Sequence, residues 1–114
     1  MPKQANQIIG SFVLRNEGDG CLTSKYQHGD SDQTPFTESC KLIGPIVPNH
    51  RFLGNYRTVW LEDRNRVVSA ELRIISDPVN ASQFRFTWLD DAGTTIFEGT
   101  GMLFGEFLVG AYWD

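Results

Sequence analysis

Clustered basic charge is missing from this chain. Ten Lys and Arg stand against fourteen Asp and Glu, for a net charge of −4 and a pI of about 5.0. The basic residues are scattered singly, as at Arg51, Arg57, Arg64, Arg66, Arg73 and Arg85. With no basic face to neutralise phosphates, nucleic-acid binding is not expected, and neither is docking on an anionic membrane. Long hydrophobic runs are missing as well. No stretch approaches the roughly 20 apolar residues of a membrane span. Met1–Gln7 has no apolar signal core, so a cytoplasmic location is expected. Only two cysteines occur, Cys21 and Cys40, with no CxxC or Cys/His spacing that suggests zinc. In the cytosol they would be free thiols; in an exported form they could pair if neighbouring strands met. There is no G-x-S-x-G elbow, P-loop or dinucleotide fingerprint, so hydrolase and nucleotide chemistry have no support and no cofactor is expected.

Helical periodicity is also absent. What the chain has instead is period-two alternation broken by turn signals, with eleven Gly in 114 residues, enough for one domain over 1–114. Strands are expected at Ile8–Arg15, Cys21–His28, Thr37–Ile43, Phe52–Leu61, Val67–Ile75, Gln83–Leu89, Thr94–Phe104 and Phe107–Trp113. Glu17–Gly20, Glu62–Asn65 and Asp90–Gly93 read as turns. Pro35, Pro45 and Pro48 mark a loop-rich region that reads as a sheet edge. About eight strands in a meander predict an all-β, antiparallel up-and-down barrel, since closure removes exposed edges.

The last hairpin can be read residue by residue. Gly105-Glu106 fits a two-residue type II′ turn, which pairs Phe104 with Phe107, Met102 with Val109, Thr100 with Ala111 and Glu98 with Trp113. One face then carries Met102, Phe104, Phe107, Val109 and Trp113, with Glu98 as its one carboxylate. The other carries Gly99, Gly101 and Gly110, which permit strong curvature. In the preceding hairpin a simple Asp91-Ala92 turn puts Arg85 opposite Glu98. A turn with Gly93 as a bulge puts Phe86 there instead, and sequence does not choose between them.

A carboxylate on an apolar face must be paired or protonated. Glu98 is therefore the candidate ligand anchor or proton carrier, with Arg57, Arg73 or Arg85 as partner, set against a structural ion pair or a rim position. Tyr56, Thr58 and Trp60 share a strand face, as do Phe84, Phe86 and Trp88; such stripes line ligand pockets or fill plain core. His28-Gly29-Asp30-Ser31-Asp32 offers an imidazole and two acids but lacks the other ligands of an EF-hand, and reads as a solvated loop rather than a metal site. His50 reads as surface.

Several segments resemble the avidins, the eight-stranded biotin-binding barrels, and occur in that family's order. Gly10-Ser11-Phe12 lies where avidins and lipocalins have Gly-x-Trp. Asp19-Gly20-Cys21-Leu22-Thr23-Ser24-Lys25-Tyr26 resembles the avidin second strand, and Glu38-Ser39 with Leu42-x-Gly44 the third. Thr58-Val59-Trp60 resembles a Trp-bearing central strand offset by one residue. Trp88-Leu89 with Gly93-Thr94-Thr95 resembles a late Trp strand and its hairpin. The resemblance implies an avidin- or lipocalin-like barrel in which Tyr26 and Trp88 contact ligand and Trp60 lies near it. Thr100 stands where the family has a Trp that crosses a subunit interface, no matching Asp occupies the last strand, and the early Ser/Asn ligands are absent. The biotin contacts are thus not reproduced.

The leading expectation is a barrel without catalysis that binds a small apolar ligand through Tyr26, Arg57, Trp60, Arg85, Trp88, Glu98 and Trp113. The alternatives are an interaction or structural subunit with a packed core, in which self-association is open, and a barrel isomerase or lyase using Glu98.

Overall fold

A computed structural model describes residues 9–28, 35–46, 48, 50–62 and 66–114. Eight strands run in sequence order: β1 (Ile9–Gly18), β2 (Cys21–His28), β3 (Phe36–Ile43), β4 (Gly54–Glu62), β5 (Arg66–Ser76), β6 (Gln83–Leu89), β7 (Thr95–Phe104) and β8 (Phe107–Trp113). Each pairs antiparallel with the next, and β1 pairs with β8, closing an up-and-down barrel. The β3 strand is hydrogen-bonded on both sides, to β2 and β4. The edge position expected from the nearby prolines is therefore corrected: Pro35 and Pro45 flank the strand, where no ladder N–H is needed.

The turns follow local chemistry. Gly18, Asp19 and Gly20 all have positive φ (89°, 53°, 76°), and Asp19-Gly20 closes the β1–β2 hairpin between Gly18 and Cys21. Gly105 has φ 61° at the first position of the β7–β8 turn, as type II′ requires. That hairpin has the expected register, from Glu98 opposite Trp113 to Phe104 opposite Phe107. No helix of the described residues is long and apolar enough to cross a membrane.

Alternation places one set of side chains inside. Leu14, Leu22, Leu72, Ile74 and Leu108 are fully buried, and each such side chain contributes about 1.5–3 kcal/mol relative to exposure. Phe52, from the β3–β4 connection, is tucked among them and fills that end of the barrel. The Tyr56 hydroxyl holds it there, donating to the Phe52 carbonyl at 2.8 Å.

The glycines of β7 and β8 face inward. A Cβ at Gly101 would lie 2.7 Å from the Val109 carbonyl oxygen and 3.0 Å from the Phe86 ring; one at Gly99 would lie 3.3 Å from the Trp88 ring. Their bare backbone is what lets two aromatic side chains occupy the interior of so narrow a barrel.

Candidate functional site

The face expected to be interior in the last hairpin is the outer one. Met102, Phe104 and Phe107 are exposed, while Gly101, Leu108 and Tyr112 are buried. Glu98 points to solvent with Met102 and Phe104. The cause is local. The Asp90–Gly93 turn is bulged, with the Gly93 N–H donating to the Asp90 carbonyl and the Asp90 N–H to that of Thr94. A second irregularity follows: Leu89 pairs with Thr95 but Trp88 pairs with Phe97, leaving Ile96 as an extra residue. That residue shifts Glu98 from Phe86 to Thr87, and a one-residue shift exchanges faces. Arg85 lies opposite Thr100, so neither expected partner faces Glu98.

The other expected site residues divide cleanly. Arg57 and Arg85 are exposed and pair with Asp91 and Asp77 on the outer surface. Trp113 is half-buried on the outside, between Ile9 and Glu98 in register. Tyr26, Trp60 and Trp88 point inward and meet. The stripes Tyr56–Thr58–Trp60 and Phe86–Trp88 are likewise interior.

Their meeting place is the barrel end opposite Phe52. Six rings, Phe12, Tyr26, Trp60, Trp88, Phe97 and Tyr112, line a cavity of about 40 Å³ together with one acid, Glu38. The rings stand as walls at steep angles: Phe97 to Tyr112 at 85° and 5.7 Å, Tyr26 to Tyr112 at 80° and 6.1 Å, Phe12 to Trp88 at 81° and 5.9 Å. Each lies near the strand end that faces the β2–β3, β4–β5 and β6–β7 connections. Tyr26 stacks on Phe36, and His28 stacks on the same ring, at the rim.

Glu38 is 5% exposed. The Thr58 hydroxyl and the Trp88 indole N–H, the latter at 2.9 Å, both donate to its Oε2. Behind Thr58 the Cys40 thiol donates to the Thr58 Oγ1 at 3.5 Å. The Ser24 hydroxyl, on the residue paired with Glu38 in register, is fully buried beside it. No cation pairs with Glu38 among the described residues. Burial therefore pushes its carboxyl above the ordinary range, against the pull of Thr58, Trp88 and the nearby Ser24 hydroxyl. Burial likewise raises Tyr26 and Tyr112, the latter to about 12, and the Glu38 charge adds to both. At the rim the Trp60 indole N–H donates to Glu62 at 3.1 Å.

The acid inside the barrel is Glu38, not Glu98. Glu38 lies in the strand with the weakest sequence signal, three residues after Pro35, and enters the avidin resemblance only through Glu38-Ser39. Its signal was its position: inward-facing residues of β3 alternate Phe36, Glu38, Cys40, Leu42, an apolar row with one carboxylate. Cys21 and Cys40 sit on adjacent strands but one residue out of register, so they face opposite sides of the wall and remain free thiols. His50 is exposed, as expected. Of the acidic run 28–32, only His28 is among the described residues; the rest lies outside them. No three His, Cys, Asp or Glu side chains converge on a metal position among the described residues. A wider groove of about 490 Å³ lies at the Phe52 end, but its Asp19, His50 and Arg51 are exposed to solvent.

Comparison with known proteins adds no relative: no family model matches this chain, and no curated protein or solved structure is significantly similar to it.

Proposed function

We propose that the protein is a small-molecule-binding barrel without catalysis, its ligand entering at the β2–β3, β4–β5 and β6–β7 end and seating among the six rings against Glu38. One observation carries this reading. A carboxyl with no cationic partner among the described residues is buried at the wall of an aromatic cavity. Burying such a group costs several kcal/mol unless something offsets it, and a polar or charged ligand group would do so. The middle of the interior is filled by side chains such as Leu14, Leu22, Leu72, Ile74, Phe86 and Leu108. Tyr26, Trp60 and Trp88, the positions marked by the likeness to avidins, belong to this one wall, which supports an avidin- or lipocalin-like use of the barrel. The isomerase or lyase reading loses its anchor, because Glu98 lies outside the barrel.

The test is a ligand screen on the intact protein, by thermal shift and by the indole N–H resonances of Trp60 and Trp88. A binder raises the melting temperature by mass action and moves those two signals but not that of Trp113. A broad panel of vitamins, amines and fatty acids that leaves all three unmoved would overturn the reading.

The interaction-subunit reading rests on a different observation. Met102, Phe104 and Phe107 form an exposed apolar strip on the outer face of β7 and β8. Sedimentation at several concentrations tests it; a monomer throughout counts against self-association there.

A further inference from the structure

We infer that the ligand presents a small alkylammonium head, between methylammonium and trimethylammonium in size, boxed by the six rings with its charge against Glu38. This rests on the small-molecule reading above and narrows it to a chemical class.

Three features of the cavity converge on a cation. The first is its walls. Aromatic faces carry the negative part of the ring quadrupole, and a cation within about 6 Å of several faces is held by all of them. Here six rings line one cavity, and pairs among them meet edge to face at 80–85° rather than stacking flat. The second is charge. Among the described residues that line the cavity the one charged group is Glu38, and Glu62 sits beside the Trp60 indole at the rim. The four ion pairs among the described residues occupy arginines on the outer surface, at 15, 57, 73 and 85. A carboxylate or phosphate ligand would meet Glu38 with no cation among the described residues that line the cavity. The third is size. About 40 Å³ holds roughly three water-sized groups at about 10–15 Å³ each, which suits a few heavy atoms around one nitrogen and excludes a fused ring system. A primary or secondary ammonium would also offer a donor to the Ser24 hydroxyl.

Binding a permanent cation is coupled to a proton. Burial favours the neutral acid at Glu38 in the free protein, and a cation beside it favours the carboxylate, so binding releases a proton wherever the free carboxyl holds one. Affinity then rises by about tenfold per pH unit while the free carboxyl is protonated, and levels off above. The titratable groups facing Glu38 are Tyr26 and Tyr112 on β2 and β8, Cys40 on its own strand and Glu62 at the end of β4; His28 stands at the rim. The phenols and the Cys40 thiol are pushed up and stay neutral across the range, so a Glu38→Gln control separates Glu38 from Glu62 and His28.

The experiment titrates the intact protein with choline and with its neutral carbon isostere, 3,3-dimethylbutan-1-ol, following the Trp60 and Trp88 indole signals from pH 5 to pH 8. The expected result is choline bound at least about tenfold more tightly than the isostere, with affinity rising with pH, and both the preference and the slope lost in Glu38→Gln. Equal or tighter binding of the neutral isostere overturns the cation assignment and leaves the small-molecule reading standing. No binding of either compound, with a neutral or anionic ligand found in the broad screen, overturns the cation assignment alone; no binding of anything overturns both. Should the Glu38→Gln chain fail to fold, the preference and pH slope of the unaltered protein decide the matter.

Discussion

The Trp88 indole N–H donates to the Glu38 carboxylate at 2.9 Å, across a sequence separation of fifty residues. The bond crosses the barrel interior from β6 to β3, strands that are not neighbours in the sheet. With the Thr58 hydroxyl, it supplies the polar contact that lets an unpaired carboxyl lie among aromatic rings.

Replacing Trp88 with Phe keeps most of the ring and removes that donor. The expected loss is about 1–3 kcal/mol of stability, the cost of a buried acceptor losing a partner. Trp60→Phe, whose lost bond to Glu62 lies at the partly exposed rim, is expected to cost less. Urea unfolding of the two variants side by side tests the order; a larger loss at Trp60 refutes it.

Stability should fall as pH rises because of Glu38. Its carboxyl is raised in the fold above its ordinary value of 4.5, so between that pH and the folded-state value the native protein binds more protons than the unfolded chain. The neutral acid's contribution is complete below about pH 4.5 and is lost as pH climbs through the folded value. The slope attributable to this one group is at most about 1.4 kcal/mol per pH unit. Glu17 and Asp77 are lowered and act in the opposite sense. The measurable quantity is therefore the difference between the unaltered protein and Glu38→Gln, from melts at pH 4.5 to 8. A difference that does not change with pH removes the raised acid.

Glu98 should be nearly silent. Glu98→Gln is expected to change stability by no more than about 0.5 kcal/mol, as at other exposed sites. Deleting Ile96 removes the extra residue itself and leaves Trp88 opposite Phe97 and Thr87 opposite Glu98 in an unbroken ladder, so Glu98 is expected to stay outside, at a cost of about 0.5–3 kcal/mol for the lost bulge. Loss of cooperative unfolding in the deletion variant would contradict that register.

Gly101→Ala places a methyl group against the Phe86 ring and the Val109 carbonyl. A loss of about 1–3 kcal/mol is expected from overpacking. In a Gly101→Ala, Phe86→Leu double variant much of the clash with the ring is relieved, and the cycle should show a favourable coupling. Additive losses would place the cost in the backbone contact instead.

The two thiols should react at different rates. Cys40 is buried and its thiol pushed up, so little thiolate forms. Cys21 faces outward and is half-buried. A thiol reagent under native conditions should label Cys21 first and Cys40 only at the rate of opening; simultaneous labelling contradicts the burial.

Strand positions were legible because alternation and turn chemistry are local. Gln83–Leu89, Cys21–His28 and Phe107–Trp113 match the expected bounds, and the II′ turn at Gly105-Glu106 carried the β7–β8 register with it. Which face of that hairpin turns inward was not legible. Both faces contain apolar residues, and hydrophobicity alone favours Met102, Phe104 and Phe107 over a row of glycines. The glycine row is inside because the rings of Phe12, Phe86 and Trp88 need that space, and those rings arrive from strands far away in sequence.

The same division holds for the candidate site. Local sequence determined the eight strands, their turns and the aromatic rows that supply Tyr26, Trp60 and Trp88. The tertiary structure decided which acid they surround. An extra residue at Ile96, invisible to a regular pairing rule, moved Glu98 outside, and closure between β1 and β8 gathered rings from six strands around Glu38. A period of two fixes that neighbours point to opposite faces; only closure, bulges and the volume of the rings fix which face is the interior.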